Sequence, residues 1–209
     1  VISLEVYGRT FTRNVPLIGE FQAYNIMAAI GLAVSLDREN TDVYMDALEK
    51  LHGAPGRLEP VTGHPSGAAV YIDYAHKPSA LEHVLKALRL HTKNRLICVF
   101  GCGGNRDKGK RPIMGRIAKE LADHVIVTDD NPREEDPGSI RHDILQAIPE
   151  AEEIAGRREA IRRAVSMAVE GDVLVIAGKG HEQGQIFADH REPFDDFEEA
   201  QEAINETRR

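Results

Sequence analysis

The sequence contains no tryptophan, only two cysteines and no run of ~18 apolar residues. The two thiols, Cys98 and Cys102, are too few for a disulfide framework and suit a reducing compartment, so we expect a cytoplasmic protein. Without a long apolar run or a basic-then-apolar leader, we expect neither a membrane-spanning segment nor a signal peptide. The chain also lacks a basic excess, since its net charge is −8, and this disfavours nucleic acid as a partner.

The composition that is present is typical of a folded globular protein. Hydrophobic residues make up 42% of the 209 residues and charged residues 29%. This length allows one domain, or one domain and part of another. We expect no membrane contact, since no apolar run is long enough to span a membrane.

Residues 1–51 predict too little structure for an independent core. The predicted elements are two strands and two helices, the first helix with Ile26, Ala29, Ile30 and Ala33 on one face. We interpret this stretch as the tail of a domain whose main part lies upstream. A breaker cluster at 52–56 follows it, as a linker would.

Residues 52–209 alternate between strand and helix patterns. The predicted strands lie at 69–73, 95–100, 125–128 and 173–177, and the predicted helices at 79–90, 110–122, 139–148, 157–169 and 196–205. In the second of these helices, Ile113, Ile117 and Leu121 form the predicted inward face. Strands that are apolar on both faces predict an α/β domain with a mainly parallel sheet covered on both sides.

A polar cluster follows each of the four predicted strands. The carboxyl ends of parallel strands share one edge of a sheet, where ligands bind. We therefore expect the four clusters to form a single site. They are Asp73–His76, Gly101–Asp107, Asp129–Arg133 and Gly178–Glu182.

The second cluster partly matches a phosphate-binding loop. Gly104, Gly109 and Lys110 have the required spacing, but Arg111 stands where a serine or threonine would bind the metal. The helix start can still attract an anion, and Arg106 adds donors for a carboxylate or phosphate.

The third and fourth clusters combine acids with arginine. Asp130, Asn131, Pro132 and Arg133 place an acceptor, an amide and a guanidinium on a stiffened turn. Gly178 allows a close backbone approach, and Glu182 offers a carboxylate to an ammonium group. Together with Arg106 they describe a pocket for a molecule with several carboxylates and amines.

Asp73 and His76 leave three interpretations open: a general base pair, a metal pair, or hydrogen-bond partners of a sugar hydroxyl. Two ligands are too few for a metal site, and no histidine or cysteine spacing completes one, so we predict no metal site. Cys102 has no histidine or aspartate at a spacing typical of nucleophilic catalysis. We assign no catalytic residue.

These motifs resemble those of the Mur ligases, the ATP-dependent amide ligases of peptidoglycan synthesis and cell wall biogenesis. The resemblance covers essentially the whole chain and is carried by the following segments: Gly56–Glu59, Asp73–His76, Phe100–Pro112, Asp130–Arg133 and Gly178–Glu182. It implies that residues 1–51 end the central ATP-binding domain and that 52–209 are the Rossmann-like C-terminal domain. The ATP loop and most Mg²⁺ ligands would lie upstream.

The resemblance also implies a reaction. ATP phosphorylates a carboxylate of a UDP-N-acetylmuramoyl dipeptide, and an amine of meso-diaminopimelate attacks the acyl phosphate. It assigns meso-diaminopimelate binding to Arg106, Asp130, Asn131, Pro132, Arg133, Gly178 and Glu182, and nucleotide binding to Asn25, Arg57, Asp73 and His76. Family members often have asparagine at the position of Gln22. We expect a monomer, and we expect these 209 residues to be inactive alone.

Three alternatives remain open. A lysine-adding relative would leave Arg133 without a second carboxylate. A phosphate-loop kinase or ATPase would use the segment from Gly104 to Lys110 for nucleotide binding. A non-catalytic binding module would hold its ligand without chemistry.

Overall fold

The computed structural model describes residues 1–208. It divides into two compact units, Val1–Ala54 and a second unit that begins at Pro55. The predicted domain division, between residues 51 and 52, lies three residues earlier. Within the described residues, no helix is both long and apolar enough to cross a membrane.

The first unit is a hairpin with two helices. Its elements are β1 (Ile2–Val6), β2 (Arg9–Arg13), α1 (Glu20–Leu36), α2 (Thr41–Ala47) and a 3-10 turn (Leu48–Lys50). Tyr7 and Gly8 join the antiparallel strands, both with positive φ, as a two-residue hairpin turn requires. Six buried apolar side chains form its core: Phe11, Ile26, Ile30, Val34, Met45 and Leu48.

The buried face of α1 differs from the predicted one. Gln22, Ile26, Ile30 and Val34 are buried, whereas Ala29 is exposed. These four residues recur at every fourth position, and so they form one stripe along the helix. The prediction placed Ala29 on this stripe because apolar composition alone does not distinguish neighbouring helix faces.

The second unit contains a six-stranded sheet. Its strands are β3 (Glu59–Val61), β4 (Ala69–Asp73), β5 (Leu96–Phe100), β6 (His124–Val127), β7 (Glu152–Glu153) and β8 (Val173–Ala177). They lie in the order β3-β4-β8-β5-β6-β7, and all neighbours are parallel except β3, which is antiparallel to β4. A separate antiparallel ribbon pairs β9 (Gln185–Ile186) with β10 (Arg191–Glu192).

Five helices pack on this sheet: α3 (Pro78–Arg89), α4 (Lys110–Leu121), α5 (Pro137–Leu145), α6 (Arg157–Met167) and α7 (Asp196–Thr207). Ile97 and Val99 of β5 belong to the core that buries α6 and α7. Cys98 and Phe100, also fully buried, point to the opposite face because side chains alternate along a strand. The sheet is therefore covered on both sides, which confirms the α/β, Rossmann-like fold class.

The inward face of α4 is rotated relative to the predicted one. Ile113 is 41% exposed, and the buried positions are Arg111, Met114, Gly115 and Ala118. Arg111 turns inward because Glu135 and Asp143 neutralise its charge there. Apolar periodicity does not anticipate a buried arginine, and this explains the error.

The strand register brings the four polar clusters to one edge of the sheet. Asp73 pairs with Ala177, Ala177 with Phe100, and Phe100 with Val127, so β4, β8, β5 and β6 end side by side. Each strand is followed by one of the predicted clusters. The expected single edge is therefore observed.

Candidate functional site

Three of the four loops at this edge are joined by side chains predicted to bind an amino acid. Asn131 donates through Nδ2 to Oε2 of Glu182, 2.8 Å away. Arg133 donates through Nη1 to the carbonyl oxygen of Gly104, 3.0 Å away. The loops after β5, β6 and β8 thus meet, and we name Asn131, Arg133, Lys179 and Glu182 the amino-acid cluster.

Lys179 lies at the centre of this cluster, and it was not among the predicted site residues. Its side chain is fully buried, and Nζ donates to Gly184 O at 2.6 Å and to Asn131 Oδ1 at 3.0 Å. Glu182 Oε2 is a third acceptor at 3.5 Å. Burial lowers the pKa of Lys179, while the nearby carboxylates of Asp130 and Glu182 oppose that shift. Three acceptors match the three donors of a protonated amine.

Backbone contacts also hold the loops together. Gly104 N donates to Asn131 O at 2.9 Å, and Arg133 N donates to Ile186 O at 3.0 Å. A Cβ on Gly104 would stand 1.9 Å from Pro132 O, so no other residue fits at this contact. Arg133 adopts a positive φ of 53°, which a non-glycine residue tolerates only where its surroundings enforce it.

Charge is distributed unevenly at the edge. Arg133 is half-buried and forms no ion pair with a carboxylate of residues 1–208. Arg106 is exposed, and one of its nitrogens donates to Asn105 O. The side chain of Glu182 is 33% exposed, so it remains accessible beside its protein partners. This edge of the sheet therefore offers the guanidinium groups of Arg133 and Arg106 to carboxylates, and the carboxylate of Glu182 to an ammonium group.

Asp130 and Gly178 shape the floor of the cluster. Asp130 is buried, and its Oδ1 accepts the amide of Asn131 at 2.6 Å. A Cβ on Gly178 would stand 2.8 Å from Asp130 Oδ2, and the φ of 121° there also favours glycine. Pro132 is buried between these groups and Arg133. Asp130 and Pro132 thus hold the turn that carries Asn131 and Arg133.

An ion-pair network below the loops was not predicted from the sequence. Glu135 accepts the amide of Asn105 at 2.5 Å and contacts Lys108 at 3.1 Å and Arg111 at 3.0 Å. Partial burial raises the pKa of Glu135, but these hydrogen bonds outweigh it and lower the pKa to about 2. Glu135 therefore ties the loop that carries Arg106 to the loop that carries Arg133.

A second group of side chains lies at the β4 end of the edge. The Tyr74 ring is 4.5 Å from the His76 ring and 5.2 Å from the His181 ring, centroid to centroid. The Arg57 guanidinium lies 4.8 Å from the centre of the Tyr74 ring. We name Arg57, Tyr74, His76 and His181 the Tyr74 cluster. Two of its four residues, Arg57 and His76, were predicted to contact nucleotide.

His76 has a defined ring orientation. Its Nδ1 lies 2.9 Å from the carbonyl oxygen of Tyr74, which only accepts, so Nδ1 carries the proton of this bond. Lys110 Nζ donates to the carbonyl oxygen of His76 at 2.7 Å. In the neutral ring, Nε2 is then an acceptor for an incoming hydroxyl.

Asp73 lies beneath the Tyr74 cluster. Its Oδ2 accepts the amide of Leu58 at 2.8 Å, and the residue is 5% exposed. Burial raises the pKa of Asp73, opposed by backbone hydrogen bonds from Leu58 and Ala75 and by the charge of Arg57. The contact fixes the segment that carries Arg57.

Asn25, the remaining predicted nucleotide contact, belongs to the first unit. It is exposed on α1, and its Nδ2 donates to Gln22 Oε1 at 3.1 Å. Gln22 is buried, and its Oε1 accepts this hydrogen bond.

Several alternative chemistries find little support in the geometry. Arg111, at the metal-binding position of a phosphate loop, is fully buried and paired, and Lys110 is bound to a backbone carbonyl. Burial raises the pKa of Cys98 and of Cys102 to about 12, so both thiols stay protonated. Across residues 1–208, no three histidine, cysteine or acidic side chains are grouped to hold a metal ion.

Known proteins resemble this chain over nearly all of its length. The family model for the Mur ligase glutamate ligase domain matches residues 56–180. A UDP-N-acetylmuramoyl-L-alanyl-D-glutamate--2,6-diaminopimelate ligase from Chelativorans sp. (strain BNC1) is 55% identical over 97% of the chain and 42% of the relative. A ligase of the same name from Caulobacter vibrioides is 54% identical over 96% of the chain and 41% of the relative.

A solved structure agrees with these sequence matches. It is described as a UDP-N-acetylmuramoyl-L-alanyl-D-glutamate--2,6-diaminopimelate ligase, and it is 41% identical with a TM-score of 0.75. The match covers 99% of this chain and 43% of that one. The chain thus spans about two fifths of the length of the proteins it matches. It belongs to the Mur ligase family, as the sequence motifs indicated.

Proposed function

We propose, from membership of the Mur ligase family, that the full-length protein carrying this chain joins meso-diaminopimelate to UDP-N-acetylmuramoyl-L-alanyl-D-glutamate in an ATP-dependent reaction. In this proposal, the chain's own contribution is the amino-acid site. The observation that carries it is the amino-acid cluster, in which Arg133 has no carboxylate partner among residues 1–208 and Glu182 stays accessible. The names of the relatives support the choice of substrates.

Diaminopimelate suits the cluster because it has an amino-acid group at each end. One end provides a carboxylate for the Arg133 guanidinium and an ammonium for the Glu182 carboxylate. Arginine binds a carboxylate through two parallel hydrogen bonds, so it selects for position as well as charge. Arg106, on the neighbouring loop, is available to a second carboxylate. The amine at the other end is then held for attack on an activated carboxyl group.

Bound ATP would supply the phosphoryl group that activates the D-glutamate carboxyl. The Tyr74 cluster fits a nucleotide in two respects: the exposed Arg57 is a cation for phosphate, and His76 Nε2 is an acceptor for a sugar hydroxyl. We propose that Arg57 and His76 contact the nucleotide and that Asp73 holds the Arg57 segment; Asn25, in the first unit, stays a predicted nucleotide contact.

Calorimetry of the 209-residue chain against meso-diaminopimelate and L-lysine tests this assignment. We expect meso-diaminopimelate to bind and lysine to bind much more weakly, because lysine lacks the carboxylate at its far end. Arg116 provides a matched control, since it is an exposed arginine on α4 outside both clusters. Arg133→Ala should abolish the heat of binding, and Arg116→Ala should preserve it. Equal heats for both amino acids would contradict the assignment.

Activity provides the second test. We expect the 209-residue chain to release no ADP with both substrates present, because residues 1–208 contain neither a complete phosphate loop nor a metal cluster. The full-length protein should release ADP only when the dipeptide precursor and diaminopimelate are both added. ADP release by the 209-residue chain would show that it holds its own ATP site.

A further inference from the structure

Resting on the proposed function, we propose that Lys179 is a positioning residue. It fixes the orientation of the Asn131 amide, and through that amide it holds one oxygen of Glu182 so that the other is presented to the ammonium group of the amino acid. Lys179 would therefore set the affinity for the amino acid without contacting it.

The Asn131 amide has one orientation that satisfies its neighbours. Its Oδ1 accepts from Lys179 Nζ at 3.0 Å and from Ile186 N at 2.9 Å. Its Nδ2 then faces Glu182 Oε2 at 2.8 Å. A flipped amide would point its NH₂ at two donors and its oxygen at a carboxylate. Lys179 and Ile186 together select the observed orientation.

The Glu182 carboxylate is held on one side only. Oε2 accepts from Asn131 and lies 3.5 Å from Lys179 Nζ, while no hydrogen bond within the described chain uses Oε1. The side chain is 33% exposed, which leaves that oxygen to a ligand. A carboxylate fixed through one oxygen loses less side-chain entropy when an ammonium group binds the other.

The buried amine is too costly to be incidental. A buried charged group is retained only where acceptors surround it, and Lys179 is fully buried with three acceptors within 3.5 Å. Two of those acceptors are the side chains of Asn131 and Glu182. These two side chains also hydrogen-bond to each other, so the lysine shares one network with the cluster. The contacts therefore favour a role in orienting the cluster.

Steady-state kinetics of the full-length protein test the proposal. Lys179→Met should raise KM for diaminopimelate by ~10-fold or more, since hydrogen bonds to charged groups have about this effect on affinity. In the same variant, KM for ATP should change less than about 2-fold. In Lys119→Met, KM for ATP and KM for diaminopimelate should both change less than about 2-fold. Lys119 is the control because it is half-exposed and paired with Glu150, outside the site.

A double-mutant cycle separates positioning from general stability. If Lys179 acts through Glu182, the effect of Lys179→Met should be smaller in a protein that already carries Glu182→Gln. In that background we expect it to raise KM for diaminopimelate by less than about 3-fold. A purely structural role would give the same factor in both backgrounds and would also change KM for ATP. The proposal would be overturned if Lys179→Met raised KM for diaminopimelate by the same factor with and without Glu182→Gln. An unchanged KM for diaminopimelate in Lys179→Met alone would also overturn it.

Asn131→Asp keeps the test valid if Lys179→Met does not fold. The substitution is isosteric and preserves an acceptor for Lys179, but it removes the donor to Glu182. We expect it to raise KM for diaminopimelate at least as much as Lys179→Met does. An unchanged KM would contradict the link between Asn131 and Glu182.

A readout that needs no ligand distinguishes this proposal from the proposed function. In ¹⁵N spectra of the 209-residue chain, the Asn131 side-chain NH₂ should give two separate, exchange-protected signals that are absent in Asn131→Asp. Lys179→Met should speed the exchange of both protons with water. Deprotected signals in the unsubstituted chain would refute the orientation by Lys179. Normal protection without any diaminopimelate ligation would refute the proposed function alone.

Discussion

The amino-acid cluster and the Tyr74 cluster lie at the same sheet edge, but they are built differently. The first is connected by side-chain hydrogen bonds between loops, with the buried Lys179 at its centre. In the second, Arg57 and His181 are exposed, rings meet edge-on or tilted, and the hydrogen bonds run to backbone groups. The first is therefore preorganised for one ligand shape, whereas the second offers contact area and charge.

In the proposed function, this difference predicts which cluster determines the selectivity for the substrate. A site with fixed, partly desolvated charges discriminates strongly against a ligand that leaves one of them unpaired. A site of partly exposed rings and one exposed guanidinium discriminates weakly, because water replaces each lost contact. We expect substitutions in the amino-acid cluster to change the choice of substrate, and substitutions in the Tyr74 cluster to change affinity only modestly.

The largest expected effect is that of Arg133→Ala in the full-length protein. Leaving the partner of a buried charge pair unpaired costs about 2–5 kcal/mol, so kcat/KM for diaminopimelate should fall by at least ~30-fold. The value for lysine, which lacks the far carboxylate, should fall far less. Steady-state kinetics with both amino acids measure the two losses, and Arg116→Ala is the control. Equal losses would mean that Arg133 only orders its own loop.

An effect of intermediate size is expected at Glu135, which supports the loops of the amino-acid cluster. Its pKa is lowered to about 2 in the folded protein, so its contribution to stability is complete above the ordinary value of 4.5 and is lost as pH falls toward 2. Glu135→Gln should lower the free energy of unfolding at pH 7 by about 1–2 kcal/mol, allowing for solvent screening. The difference from the unsubstituted chain should shrink as the pH falls through this window.

Urea denaturation followed by circular dichroism at several pH values measures this difference. Glu120→Gln is the matched control, because Glu120 is exposed on α4 away from the network. A constant difference between pH 7 and pH 3 would show that Glu135 stabilises the loops without its charge.

The smallest expected effect is in the Tyr74 cluster. His76→Ala removes the Nε2 acceptor and one ring that contacts Tyr74, and it should raise KM for ATP by several-fold, the range of one neutral hydrogen bond. KM for diaminopimelate should stay within about 2-fold in the same variant. The opposite pattern would move His76 into the amino-acid site and remove the contrast between the clusters.

Much of the site could be predicted from sequence because its residues lie directly after apolar strands. Asn131, Arg133 and Glu182 were predicted in this way, since parallel strands must end at a common edge. The short strands β3 and β7 were not predicted, because two or three residues carry too little periodicity. The phase of α4 was wrong because Arg111 is buried by charge pairing with Glu135 and Asp143, not by apolarity.

The sequence by itself determined the order of the longer strands and helices along the chain, the positions of the loops after those strands, and the family. These are properties of neighbouring residues, since the period of apolar side chains and the placement of glycine and proline act over a few positions. Only the tertiary structure decided which polar groups meet: Lys179 reaches Asn131 across 48 positions, and Asn131 reaches Glu182 across 51. Such pairs depend on sheet order and strand register, so it is the packed sheet that makes a buried lysine the centre of the site.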